Sequence, residues 1–164
     1  MLDNIREHSI VVAKIAHLIA ETLSTAGARV SVEATLAAAL LHDIGKTLCL
    51  RNGGDHAALG RVICLRHKFD EIADIIGEHV ILQTFDPQDG ISEKEIVYYA
   101  DKRVNHSSVV SLDERLRYIL ERYGRDNPLR RQWIISNFAT CRAVERKLFA
   151  HLHFTPSEVG RLIM

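Results

Sequence analysis

Apolar residues recur every three or four positions along most of this chain, and that period is helical. In the first segment, roughly residues 4–26, Ile5, His8, Val12, Ile15, Ile19 and Leu23 fall on one stripe, and Gly27 ends it. Ser31 can cap a second helix that runs to about His42. Residues 45–55 contain Gly53-Gly54 and read as a loop. Helices are expected over 57–66 and 70–78, and Asp86-Pro87-Gln88-Asp89-Gly90 reads as a turn. Ser92-Glu93-Lys94-Glu95 has the capping-box pattern and predicts a helix reaching about His106.

The last third keeps the same period. Ser111 can cap a helix that ends at Gly124. Asn127-Pro128 is a cap followed by proline at the first helical position. The long helix after it carries Ile134, Phe138, Cys141, Leu148 and Leu152 on one stripe. Thr155-Pro156 repeats the cap-and-proline signal for a short final helix. No run of β-branched alternation is present, so the expected fold is all-α, a helical bundle without a sheet. With 164 residues and no linker or repeat, the chain reads as one domain spanning 1–164.

Three helical stripes carry an ionisable residue inward. His8 lies between Ile5 and Val12. His79 continues the stripe of Ile72, Ile75 and Ile76, and Asp101 sits between Val97 and Val104. His42-Asp43 closes the apolar run 36–41, and His56 follows the Gly-Gly loop. One inward histidine is an ordinary core residue. A buried carboxylate is costly unless it is compensated. Two compensations are open: a His–Asp hydrogen-bond network, or a metal ion held by imidazole and carboxylate. Without thiolates that donor set suits iron, manganese, zinc, cobalt or nickel, as one or two divalent ions. Cys49, Cys64 and Cys141 are widely spaced, form no CxxC pair, and read as reduced thiols.

The run His42-Asp43-Ile44-Gly45-Lys46, with His8 upstream and Ala100-Asp101-Lys102 downstream, resembles the HD superfamily of metal-dependent phosphohydrolases, and within it the HDIG subgroup. The resemblance covers about residues 4–106. It implies an HD-domain-like helical fold, with 107–164 as additional packing helices. It further implies that His8, His42, Asp43 and Asp101 hold a first metal. Asp43 would bridge to a second ion held by His56 and His79, which match the extra histidines of the two-metal branch. Asp43 and Lys46 would be catalytic, the lysine orienting phosphate. There is no Gly-Tyr-Pro element, which separates the chain from cyclic-di-GMP phosphodiesterases, and no synthetase region of the stringent-response type.

The implied reaction is hydrolysis of a phosphomonoester or phosphoanhydride, of a nucleotide, by metal-activated hydroxide. Two alternatives stay open: a non-catalytic sensor or interaction module that binds metal or nucleotide, and an HD-type di-iron oxygenase. The formal net charge of zero argues against a generic polyanion binder, and the sparse aromatics form no stacking ladder, so nucleic acid is not the expected partner. The expected partner is a small phosphorylated substrate. No signal peptide or membrane span is visible, so the expected location is cytoplasmic.

Of Lys102 and Arg103, one can reach the site and the other is expected at the surface. Arg66-His67-Lys68 reads as a solvated helix end. His17, His151 and His153 fall off the inward stripes, and His106 could support the site from behind its ligands.

Overall fold

The computed structural model describes residues 1–125 and 127–164. The helices are α1 (Asp3–Thr25), α2 (Val32–Leu41), α3 (Lys46–Asn52), α4 (His56–Arg66), α5 (Asp70–Gly77), α6 (Glu93–Lys102), α7 (Leu112–Tyr123), α8 (Pro128–Phe149) and α9 (Val159–Leu162). The fold is all-α, as the sequence period requires. The inward stripe of α1 is buried along its length, from Ile5 through His8, Val12, Ile15 and Ile19 to Leu23. It packs on α2 and α6. Helix α6 is enclosed on nearly every side, with Ile96, Val97, Tyr98, Tyr99 and Ala100 all buried. Helix α8 closes over α6 through Ile134, Phe138, Cys141, Val144 and Leu148, and these join the same apolar cluster as α1.

The start signals act as expected. The side chains of Ser31, Ser92, Ser111 and Asn127 accept from backbone N–H groups in the first turns of α2, α6, α7 and α8. Thr155 and Glu158 form a reciprocal box at the short 3-10 turn Pro156–Glu158. Polar ties fasten α8 to the rest. Tyr98 Oη donates to the Asn137 carbonyl at 2.7 Å. Asn137 Nδ2 donates to the Val80 carbonyl at 3.0 Å. Lys147 Nζ donates to Glu95 Oε1 at 2.7 Å, a pair almost wholly removed from water.

Three expectations need correction. Residues 46–52 form helix α3 instead of a loop, because the Gly53-Gly54 pair stops the segment rather than filling it. Both glycines have positive φ, 73° and 104°, which is where a helix ends most easily. Helix α6 stops at Lys102, short of His106. A hairpin follows, with strands β1 (Val104–Asn105) and β2 (Ser108–Val109) pairing Val104 with Val109 and Asn105 with Ser108. Strands this short carry no readable alternation, and the turn rests on a non-glycine residue at positive φ, His106 at 54°. Finally, neither Lys102 nor Arg103 is a surface charge. Arg103 is buried, donating through Nε to the Val110 carbonyl and through Nη2 to the Pro156 carbonyl. It thereby staples the hairpin and the C-terminal turn to α6.

Candidate metal centre

Five helices deliver the six inward candidates to one place. His8 comes from α1 and Asp101 from α6. His42-Asp43 follows the last turn of α2, His79 follows α5, and His56 opens α4. His42, Asp43 and His79 are essentially without solvent exposure, and His8 is also buried. His56 is the most open, with 27% of its side chain exposed.

Asp43 lies at the centre. Its Oδ1 is 3.3 Å from His56 Nε2 and 3.7 Å from His79 Nε2. Its Oδ2 is 3.5 Å from His42 Nε2 and 2.7 Å from Lys46 Nζ. Asp101 Oδ1 is 3.0 Å from His8 Nε2 and 3.6 Å from His42 Nε2. Two triads have donor atoms within 4.8 Å of one another: His8, His42 and Asp43; and Asp43, His56 and His79. Asp43 belongs to both.

Local backbone geometry fixes which ring nitrogen faces inward. His42 Nδ1 lies 2.7 Å from the carbonyl of Ala39, and His79 Nδ1 lies 2.7 Å from that of Ile76. Each imidazole folds back on the carbonyl three residues earlier, at the end of its own helix. His8 Nδ1 lies 2.9 Å from the His106 carbonyl. A carbonyl can only accept, so all three Nδ1 atoms carry the proton. Each ring therefore turns its Nε2 towards a carboxylate oxygen. A backbone-fixed Nδ1–H is the usual support of a metal-ligating histidine, because it leaves Nε2 for the ion. His42 Nε2 and Asp43 Oδ1 are both buried without a hydrogen-bond partner. These orphaned atoms fit a metal ion.

The electrostatics agree. Burial lowers the His79 pKa to about 4, keeping it a neutral donor near pH 7. Burial works to raise the Asp43 pKa, yet His42, His56, His79 and Lys46 hold it below the usual carboxylate range. Asp101 is likewise held low against its own burial, by Lys102, His42 and His8. Burial opposes a charge on His42, but Asp43 and Asp101 outweigh it and raise that pKa.

The surroundings add Lys102, the one of the Lys102-Arg103 pair that reaches the site, and further residues that sequence reasoning missed. Lys102 is buried, its ammonium donating to the His79 carbonyl and, at 3.3 Å, to Asp101 Oδ2. Both of its acceptors belong to candidate ligand residues, so it orients two of them at once. The His106 contribution is its carbonyl, not its ring. A cleft of about 370 Å³ opens over the cluster, and its far wall is built by α7 and α8 through Arg115, Tyr123, Trp133 and Asn137. Residues 107–164 thus shape the site as well as packing on the core. No sequence signal marked Arg115, whose role depends on where α7 crosses the cleft. His151 and His153 are exposed, as expected, and the Arg66-His67-Lys68 cluster is solvated.

The HD domain family matches residues 5–105, and the chain belongs to that family. HD domains form a superfamily of metal-dependent phosphohydrolases that bind divalent ions, and this chain brings together His/Asp groups able to hold one. An uncharacterized protein of Methanocaldococcus jannaschii is 26% identical over 148 residues, covering 82% of this chain and 86% of that one. Ribonuclease Y of Helicobacter pylori is 42% identical over 70 residues, 43% of this chain but only 12% of that protein. Ribonuclease Y of Pseudothermotoga lettingae is 39% identical over 78 residues, 47% of this chain and 14% of that one. No solved structure matches the chain at significance. No helix among the described residues is long and apolar enough to cross a membrane.

Proposed function

We propose that this protein, acting as a single HD-type unit over 1–164, is a metal-dependent phosphohydrolase for a phosphomonoester or phosphoanhydride of a nucleotide. His8, His42, Asp43 and Asp101 hold one divalent ion. Asp43 bridges to a second ion held by His56 and His79. The observation that carries this reading is the pair of His/Asp triads sharing Asp43, in which His42 Nε2 and Asp43 Oδ1 are buried without a hydrogen-bond partner. A hydrogen-bond network accounts for His8 Nε2 with Asp101 Oδ1 at 3.0 Å, but it leaves His42 Nε2 and Asp43 Oδ1 unpaired.

A divalent ion there supplies Lewis acidity and lowers the pKa of a bound water. The protein supplies position. Asp43 and Asp101 remain ionised and hold the anionic side of the site. Lys102 fixes the Asp101 carboxylate and the His79 backbone. Lys46, with 36% of its side chain exposed, pairs with Asp43 Oδ2 at 2.7 Å and stands at the cleft. From there its ammonium can transfer to a phosphate oxygen and stabilise charge that develops during phosphorus–oxygen cleavage.

The test is turnover by protein purified without chelator, with manganese or iron added. The panel holds nucleoside mono-, di- and triphosphates, a simple phosphomonoester and a short RNA. The RNA is included because the matched ribonuclease Y proteins are named for cleaving it. Phosphate release from nucleotides that is abolished by chelator supports the proposal. A metal-loaded protein that turns over none of these substrates refutes it and favours the sensor module.

A further inference from the structure

The α7–α8 hairpin lies beyond the matched HD segment, yet it walls the cleft over the metal-site residues. Its contribution has a charged half and an apolar half. The charged half is Arg115. Its Nη1 donates to Asn105 Oδ1 at 2.7 Å, and its guanidinium carbon lies 5.7 Å from the centre of the Tyr118 ring. Its Nε is buried with no hydrogen-bond partner, and among the described residues no carboxylate pairs with it. Arg115 lines the cleft together with Asp43 and Lys46. Arg115 is half-buried, and a guanidinium whose neighbours are one neutral amide and one aromatic ring keeps its charge available to an anion in the cleft. Its planar fork matches the oxygens of a phosphate.

The apolar half adjoins it. Ile119, Tyr123, Trp133 and Ile134 line both the cleft and a neighbouring apolar pocket, so the two spaces adjoin. Tyr123 and Trp133 are 51% and 47% exposed. Two large rings left open at the mouth of a phosphate-binding cleft present a surface on which a flat, apolar group can stack. A nucleoside phosphate carries both required features, an anionic end and an aromatic base.

We propose that the α7–α8 hairpin is the recognition half of the site: Arg115 binds substrate phosphate, and Tyr123 with Trp133 holds the base of a mononucleotide. This rests on the phosphohydrolase reading for what happens at the metal side, but it concerns binding and can be tested without turnover.

Trp133 is the single tryptophan of the chain, so its fluorescence reports one place. The probe is the phosphonate analogue of AMP with carbon in place of the ester oxygen, added to metal-loaded protein. Quenching of Trp133 that saturates with the analogue, and is not reproduced by inorganic phosphate, is the expected result. By calorimetry, Trp133→Ala weakens the analogue about tenfold while its binding of inorganic phosphate stays close to wild type. Arg115→Gln weakens both ligands by roughly tenfold to a hundredfold, and Arg115→Lys recovers part of the loss. Unchanged metal content and helicity identify each variant as folded.

Saturable quenching without turnover of any substrate in the panel overturns the hydrolase reading and leaves this inference standing. Hydrolysis of AMP with no quenching, or with Trp133→Ala and Arg115→Gln binding the analogue as wild type does, overturns the inference. Failure of the metal-loaded protein to bind the analogue overturns it too. Tighter binding of a short RNA than of the mononucleotide analogue, with the same quenching, would reject the mononucleotide in favour of an RNA end.

Discussion

Gly45→Ala should damage one half of the metal site and spare the other. Gly45 has φ of ordinary sign, so the added methyl would be conformationally harmless and would stabilise by roughly 0.4–1 kcal/mol in open space. The space is not open. A Cβ at this position meets the His56 carbonyl oxygen at 2.5 Å and the Gly60 nitrogen at 3.0 Å. Both atoms are backbone, so no side-chain rotation relieves the contact. The first falls about 0.9 Å short of the 3.4 Å at which ordinary contact begins. Helix α4 has to back away by something near that amount, carrying His56 with it. Metal–ligand distances tolerate only about 0.2 Å. The expected outcome is a second-ion affinity lower by about tenfold or more, while the ion between His8, His42 and Asp101 is retained. Overpacking costs about 1–3 kcal/mol. At roughly 2–4 °C per kcal/mol for a chain of this size, the melting temperature should fall by about 2–12 °C. Metal titration followed by elemental analysis, with thermal melts in chelator, reads both quantities. A Gly45→Ala protein at least as stable as wild type, with its second ion bound as tightly, refutes the reasoning that this glycine is required by close approach.

Other outcomes follow from the same geometry. Lys46→Ala should lower turnover on the order of a hundredfold and leave metal content intact, because an ammonium cannot ligate; loss of metal would contradict its assigned role. His79→Ala should remove the second ion and keep most of the first, as read by metal stoichiometry, and equal loss of both would count against separate sites. Acid should weaken the metal-free protein. His79 is lowered from 6.5 to about 4 by burial, so between those values the unfolded chain binds the extra proton and stability drops as pH falls. The shift corresponds to roughly 3 kcal/mol. His42, being raised, has the opposite sign, but its contribution is full below 6.5 and fades only as pH rises through its elevated value. Urea midpoints in chelator at pH 7 and pH 5 measure the difference, and a higher midpoint at pH 5 would contradict it.

Much of the scaffold was legible because caps and apolar period act locally. Ser31, Ser92, Ser111 and Asn127 each stand where a helix begins, and the stripe of α1 is buried as its spacing requires. The inward set was legible for a related reason: charged or titratable residues on an apolar stripe are rare enough to be noticed. What stayed hidden depends on distance in the chain. The His106 carbonyl serves His8 only through a hairpin whose strands are two residues long. Of Lys102 and Arg103 one was expected at the surface, yet the enclosed end of α6 buries both beside carbonyl acceptors. Arg115 and Trp133 carry no motif; they reach the cleft because α7 and α8 are laid across it.

The central claim is that Asp43 is shared by two ions, and metal stoichiometry of wild type against Asp43→Ala tests it most directly. Removing the shared carboxylate takes a ligand from both triads at once. Elemental analysis of chelator-free preparations should find close to two divalent ions per wild-type chain. The Asp43→Ala protein should be folded, metal-poor and inactive. Equal metal content in the two proteins, or none in either after loading with manganese, iron or zinc, would contradict the bridging assignment and leave a buried His–Asp network in its place.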